Sequence, residues 1–331
     1  PSLSRLTKSK SQTFKTLAMI LEDYWAAFGR KLGAWQHGRA VRAILDTPPM
    51  VPKDDGVILF SMIGTAVLLP YLVALKSLYA QLQRGRVMLL DDGTLTQADK
   101  ALLAYHTGNP HILTFVDIDT APCPNGNCWE RLLAILDLRR EHYVIQLDSD
   151  TVTLGPVPEV AAAIEANRSF TLGGGLEDVE YGFMAVPHMI RTIYPDGPLH
   201  LHIQSVIEAA LRDVPGAEEL RYIRGCAGFA GFSRSANGRK MAERFAVDTG
   251  RVVGPRFGEW GSEQAASNFV IANDPDPIQL PYERYTNHWK EPLPADPAFI
   301  HYIGTYRYDR GSYVASTERA LRLLGRNRSS S

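Results

Sequence analysis

Tyr143-Val144-Ile145-Gln146-Leu147-Asp148-Ser149-Asp150 is an apolar run of strand length that delivers two carboxylates, one residue apart, to a point where the chain turns. Two carboxylates at the carboxyl edge of a buried sheet are a way to hold a hard divalent cation. Spacing alone does not single them out, because Asp117-Ile118-Asp119 and Asp274-Pro275-Asp276 repeat it. Context does, since only Asp148 and Asp150 follow a clear buried-strand pattern. The plainer alternative is a strand-end turn whose carboxylates are solvated. Near the other end, Phe299-Ile300-His301-Tyr302-Ile303-Gly304 reads as a short strand that stops at a glycine and delivers a histidine.

The elements that must place these side chains are legible from periodicity and turn chemistry. Residues 57–62, 86–90, 111–116 and 143–147 read as strands, and 69–83, 96–107 and 128–140 as the helices between them. Pro70 suits a first helical position, where its missing N–H costs least. Thr96 and Asp99 form a capping-box-like start, and Gly108-Asn109 a stop. Further on, 156–166, 235–246 and 262–272 read as helices, the last with Ser262 as N-cap. Residues 169–172 lead into Gly173-Gly174-Gly175, and 225–232 form a glycine-rich strand. Strands alternating with helices predict an α/β fold with a Rossmann-like, mostly parallel central sheet flanked by helices.

At 331 residues the chain can bury a full core, and 45% hydrophobic and 21% charged residues suit a soluble protein. A formal net charge of -1 excludes a globally basic, nucleic-acid-coating character. Charge is nonetheless uneven. Residues 1–43 carry eight basic side chains against Glu22 and Asp23, and the tail carries Arg319, Arg322, Arg326 and Arg328 against Glu318. These ends read as solvated or surface-docking segments, with an anionic membrane as one candidate partner. A helical stripe of Leu17, Ile20, Leu21, Trp25, Phe28 and Leu32 stops at Thr47-Pro48-Pro49. The organisation expected is a helical N-terminal extension over 1–56, a main domain over 57–312, and a basic C-terminal helix and tail over 313–331.

Residues 57–75 carry no charge, but Gly64 and Pro70 divide them into a strand and a helix rather than a membrane span. Basic residues interrupt the first apolar positions, so no secretory signal is expected, and the location expected is cytoplasmic. Cys123 and Cys128 flank a turn, with no second pair to complete a zinc site, and read as reduced structural thiols.

Four blocks, in order, resemble those of the GT-A fold glycosyltransferases, most closely family 8, the group that includes glycogenin and bacterial galactosyltransferases. Residues 143–154 are similar to that family's strand and Asp-x-Asp. Cys226-Ala227-Gly228-Phe229 is similar to its Asn-Ala-Gly segment, with Cys226 departing from asparagine. Glu263-Gln264-Ala265-Ala266-Ser267-Asn268 resembles its Asp-Gln-Asp-x-x-Asn block, keeping Gln264 and Asn268 but neither aspartate. His301-Tyr302-Ile303-Gly304-Thr305-Tyr306-Arg307 resembles its His-aromatic-x-Gly-x-x-Lys motif, with Arg307 in place of lysine. The resemblance spans about residues 57–309.

It implies a hexosyltransferase-like enzyme that uses a nucleotide diphosphate sugar, a UDP-sugar above others, and a saccharide, lipid-linked or other acceptor. Asp148, Asp150 and His301 would be the metal ligands, with imidazole tilting the choice toward Mn²⁺ over Mg²⁺. Asp148, Ser149, Gly304 and Arg307 would contact the donor, Arg307 forking onto phosphate oxygens. Arg131 would do the same from the third helix, and Ser61 and Thr65 would border the base at the end of the first strand. Gln264 would stabilise the reacting centre if the reaction retains configuration, the outcome favoured; Glu263 would be a general base if it inverts. Plainer readings stand beside these: a core histidine for His301, a surface arginine for Arg307, a helix-capping carboxylate for Glu263. A nucleotidyltransferase shares the sheet but calls for a glycine-rich basic loop that Ser61-Met62-Ile63-Gly64-Thr65 lacks. The replacements at Cys226, Glu263 and Ala265 motivate a third reading, a non-catalytic sugar-nucleotide-binding protein.

Overall fold

The computed structural model describes residues 27, 29–289 and 291–326. Helix α1 (29–40) precedes β1 (Val57–Ile63), α2 (Leu68–Leu82), β2 (Arg86–Asp91), α3 (Gln97–Thr107), β3 (His111–Thr114), α4 (Trp129–Leu138) and β4 (Tyr143–Leu147). There follow β5 (Thr151–Thr153), α5 (Pro158–Glu165), β6 (Phe170–Gly173), α6 (Leu176–Val179), β7 (Met184–Ala185), α7 (Val186–Ile193), α8 (Ile203–Ala210) and β8 (Arg221–Tyr222). The chain closes with β9 (Gly225–Phe232), α9 (Lys240–Val253), α10 (Ser262–Ala272), β10 (Ile278–Gln279), β11 (Tyr285–His288), β12 (Phe299–Tyr302) and α11 (Ser312–Arg326).

Seven strands form one sheet in the order β10-β6-β9-β4-β1-β2-β3. Its pairings are parallel except those of β9, which runs antiparallel to β4 and β6. The expected α/β architecture is present. Alternate side chains of the central strands enter opposite cores: Val57, Leu59 and Ile145 pack with α2 and α11, while Ile58, Phe60 and Val144 pack with α4 and α10. Each such side chain, fully buried, contributes about 1.5–3 kcal/mol relative to exposure. The charge-free stretch is therefore core: among the described residues one helical window, Thr65–Leu82, is apolar enough to cross a membrane, and 61% of it is buried in the fold.

Local chemistry accounts for several element ends. The Thr96–Asp99 capping box forms, and α3 closes on Gly108 at φ 77°. Other expectations shift. Helix α2 begins at Leu68 after a 3-10 turn, so Pro70 is its third residue, where its N–H would still lack an intrahelical partner. Strand β3 stops at Thr114 because Asp117 folds back to accept from the Thr114 N–H and hydroxyl. Helix α9 starts at Lys240 rather than 235, since Gly238 at φ 52° belongs to a turn. Ser262 is not the cap of α10. Gly261 at φ 102° takes that place, while the Ser262 Oγ accepts from the buried Trp129 Nε1 at 2.9 Å.

Of the proposed N-terminal stripe, Leu17, Ile20, Leu21, Trp25 and Phe28 lie outside the described residues, and Leu32 is exposed. The buried face of α1 and the 3-10 turn after it is instead Gly33, His37, Val41 and Ile44. Gly33 sits there because a Cβ would lie 2.7 Å from the Tyr308 carbonyl oxygen.

His37 stacks on Tyr313 with ring centroids 3.7 Å apart, and its Nε2 meets Thr317 Oγ1 at 3.1 Å. Burial first, and then the nearby Arg307 charge, push its pKa down to about 4. A base whose folded pKa is depressed favours the fold while neutral. Its contribution is complete above the unfolded value near 6.5 and is lost as pH falls toward 4. Acidification across that window is expected to cost on the order of 2 kcal/mol through this residue. Urea unfolding of the native chain and His37→Phe should show it: the variant's stability falls less between pH 6.5 and 4.

Candidate metal and donor site

The large sheet ends where the two candidate carboxylates begin. After β4 the Asp148 N–H still donates to the Gly228 carbonyl of β9, at 2.9 Å. After three intervening residues the chain enters, at Thr151, a second sheet of order β11-β12-β5. Strand β12 pairs antiparallel with β5 and parallel with β11, setting His301 opposite Thr151 on one side and Asn287 on the other. The Tyr302 N–H donates to the Asp150 carbonyl at 2.8 Å. Backbone pairing thus brings a histidine beside two aspartates from far away in the chain. One ligand atom each from Asp148, Asp150 and His301 lie within 4.8 Å of one another, the only such trio found among the described residues.

Glycine makes room for this. A Cβ on Gly228 would stand 2.2–2.6 Å from three atoms of the His301 ring, so the imidazole occupies the space a side chain would fill. Gly231 likewise admits Phe170, at 2.2 Å from a built Cβ. Gly228 and Gly231 of β9 thus mark close approach of neighbouring rings.

Charge at the trio is balanced by two arginines. Arg131 donates to Asp148 Oδ1 at 2.6 Å and to both Glu263 oxygens at 3.2 and 3.3 Å. Arg307 pairs with Asp150 Oδ2 and donates to the Tyr302 carbonyl at 3.2 Å. His301 Nε2 faces Asp150 Oδ1 at 3.3 Å. Burial pushes Asp148 above the ordinary carboxylate range, with Arg131 opposing. Burial acts the same way on Asp150, but the His301 and Arg307 charges outweigh it and hold that carboxyl low. For His301 burial disfavours charge, yet Cys226 and Asp150 carry its pKa well above the usual value. Burial also raises Glu263, with Arg131 opposing.

The other predicted residues fall at varying distance from the trio. Gln264, at the start of α10, accepts from the Ala227 N–H at 3.2 Å and donates to Gln204 Oε1 at 2.7 Å. Ser149 is half-buried between the two aspartates. Gly304, at φ 43°, opens the turn that carries Arg307. Ser61 is buried and donates its hydroxyl to the Leu147 carbonyl at 2.7 Å, which ties β1 to β4. Thr65 is exposed, its N–H donating to Thr94 Oγ1 at 3.0 Å and its hydroxyl 2.6 Å from Asp99, which joins the β1 end to α3. Cys123 and Cys128 are free thiols, pushed up by burial to about 12 and about 11.

Sequence reasoning passed over Asn287. Its Oδ1 is 3.0 Å from His301 Nδ1, and its Nδ2 donates to the Gly173 and Gly174 carbonyls at 2.6 and 2.8 Å. The signal available was an amide inside a four-residue strand of buried residues. A cavity of about 720 Å³ adjoins it, lined among others by Gly174, Asp178, Arg224, Trp289 and Tyr306.

No family model and no curated protein matches the chain. Among solved structures, the chain is similar to the galactosyltransferase LgtC in complex with donor and acceptor sugar analogs, at 15% identity over 82% of this chain and 95% of that one, TM-score 0.49. The WbbM bifunctional glycosyltransferase in its apo structure matches at 14% identity over 83% of this chain and 53% of that one, TM-score 0.46. GlyE of Streptococcus pneumoniae TIGR4, apo form, matches at 13% identity over 84% of this chain and 64% of that one, TM-score 0.46. Likenesses this remote say nothing of substrate or mechanism, which must come from the chain's own residues.

Proposed function

We propose that the chain is a metal-dependent glycosyltransferase of the family 8 type, moving a hexosyl group from a nucleotide diphosphate sugar to a saccharide acceptor with retention of configuration. The observation that carries this is the convergence of Asp148, Asp150 and His301 where the two sheets meet. Two carboxylates and an imidazole are a donor set that suits Mn²⁺. The fit is electrostatic as well, since both aspartates lean on cationic partners, Arg131 and Arg307, in place of an ion. When bound, the cation would neutralise charge developing on the leaving diphosphate.

The chain's own groups supply the rest. Arg307 stays charged at any working pH and can exchange Asp150 for a phosphate oxygen. Arg131 keeps Asp148 and Glu263 from repelling each other in a buried place. Retention is supported by Glu263: it is buried and Arg131 contacts both its oxygens, which leaves it poorly placed to take a proton from an acceptor. Gln264, neutral and half-buried beside it, offers its amide dipole to a positive centre without competing as a base.

A thermal-shift panel of nucleotide diphosphate sugars tests the reading. At a hundredfold Kd one donor should add about 2.7 kcal/mol of stability. The shift should need Mn²⁺ and vanish with chelator. If every nucleotide sugar left the melting temperature unchanged with Mn²⁺ present, the reading would fail.

A further inference from the structure

The amide of Asn287 is fixed by what surrounds it. One end of that amide faces two backbone carbonyls, Gly173 and Gly174, at 2.6 and 2.8 Å. Carbonyl oxygens only accept, so this end must be the NH₂ group, and both of its protons have partners. The other end is therefore the oxygen, and it lies 3.0 Å from His301 Nδ1. An amide oxygen cannot donate, so Nδ1 must carry the proton of that contact. Cys226 Sγ, 3.3 Å from the same nitrogen, is a weak acceptor able to share it. Nε2, the atom aimed at Asp150 Oδ1 at 3.3 Å, can make that contact only with a proton of its own, which a bound cation would replace while Nδ1 keeps the proton that Asn287 accepts.

We infer that Asn287 is the positioning residue of the metal site. It keeps a proton on His301 Nδ1 and so holds the ring with Nε2 toward the aspartates, as the nitrogen that would take up a cation. Nothing in the chain's resemblance pointed to this residue, and it deepens the proposed function by resting on the same trio. The means are those by which a hydrogen-bond acceptor behind a metal-bound histidine fixes ring orientation and raises ligand basicity. Backbone pairing reinforces it: Asn287 is the cross-strand partner of His301 in the β11–β12 register, so one pair of residues spans from the trio to the carbonyls at the end of β6. Asn287 also lines the 720 Å³ cavity, so the group that orients the ligand forms part of the wall of the neighbouring space.

Two measurements test the inference without relying on turnover. The first is Mn²⁺ affinity by calorimetry for the native chain, Asn287→Leu and Cys226→Ala. Asn287→Leu should weaken Mn²⁺ binding about 10–100-fold, while Cys226→Ala should stay within about threefold. The second uses the unmutated chain loaded with diamagnetic Cd²⁺, and so does not depend on a variant that also loosens Gly173 and Gly174. Its histidine ring ¹⁵N signals should show His301 protonated at Nδ1 and unprotonated at Nε2. An Nε2–H tautomer, or an Asn287→Leu variant that folds and binds Mn²⁺ as the native chain does, overturns the inference. A native chain that binds no Mn²⁺ at all would instead overturn the reading of the trio itself.

Discussion

Asp150→Asn is expected to lower metal-dependent donor turnover by about a thousandfold or more while the chain stays folded. The carboxylate has a buried place between His301 Nε2, at 3.3 Å, and the Arg307 guanidinium. An amide of the same shape keeps an acceptor for Arg307 but loses the charge that would hold a cation. Charge stabilisation by a bound metal amounts to several kcal/mol of the transition state, and each 1.36 kcal/mol is about tenfold in rate. Stability should also respond to pH. Asp150 has a depressed folded pKa, so its contribution is present above the ordinary carboxylate value and is lost as pH falls through the lower folded one. The asparagine variant lacks that acid-sensitive part. Donor hydrolysis with saturating Mn²⁺ gives the comparison, with circular dichroism to check folding. A folded variant within tenfold of the native rate would remove Asp150 from the chemistry.

Arg131→Leu is expected to cost about 3–5 kcal/mol of stability, the largest effect of a single substitution proposed for this chain. Arg131 is 7% exposed and Glu263 3%, and Asp148 shares the same guanidinium. Removing the cation leaves two carboxylates in a place that already pushes both of them above their ordinary range by burial. Each would be driven further toward its protonated form, so the penalty should shrink as the solution is made acidic. A double variant, Arg131→Leu with Glu263→Leu, should recover part of the loss by exchanging a broken ion pair for apolar contact. Urea denaturation of the two variants at neutral pH and near pH 5 measures both effects. A single variant that costs under about 1 kcal/mol would mean that Arg131 is not the buried counter-ion of Glu263.

Much of the frame was legible because it is written in short-range chemistry. The bounds of β4, β9 and α10 follow from runs of apolar residues closed by turns, and the α3 capping box from two side chains three apart. Where the reading slipped, a tertiary demand had overridden a local preference. Ser262 looks like a cap, but a buried indole N–H takes its hydroxyl. Leu32 looks like core, but α1 turns Gly33 and His37 inward because only glycine can approach Tyr308 so closely.

The site divides in the same way. Asp148, Asp150 and His301 were legible as residue types at the ends of strands. Their meeting depends on the small sheet of β11, β12 and β5, whose strands come from segments more than a hundred residues apart. The direction of β9 was equally hidden, since an apolar strand buried on both faces has the same pattern parallel or antiparallel. Ser61 has a hydroxyl whose use was hidden for a related reason. Topology puts it near the strand end, but only the structure shows its hydroxyl spent on Leu147.

The most direct test is crystallographic. Crystals grown with Mn²⁺ and a nucleoside diphosphate should give one strong anomalous peak at the manganese edge, within about 2.0–2.4 Å of oxygens of Asp148 and Asp150 and of His301 Nε2. A peak elsewhere, or none beside these three residues with the nucleotide bound, would contradict the account.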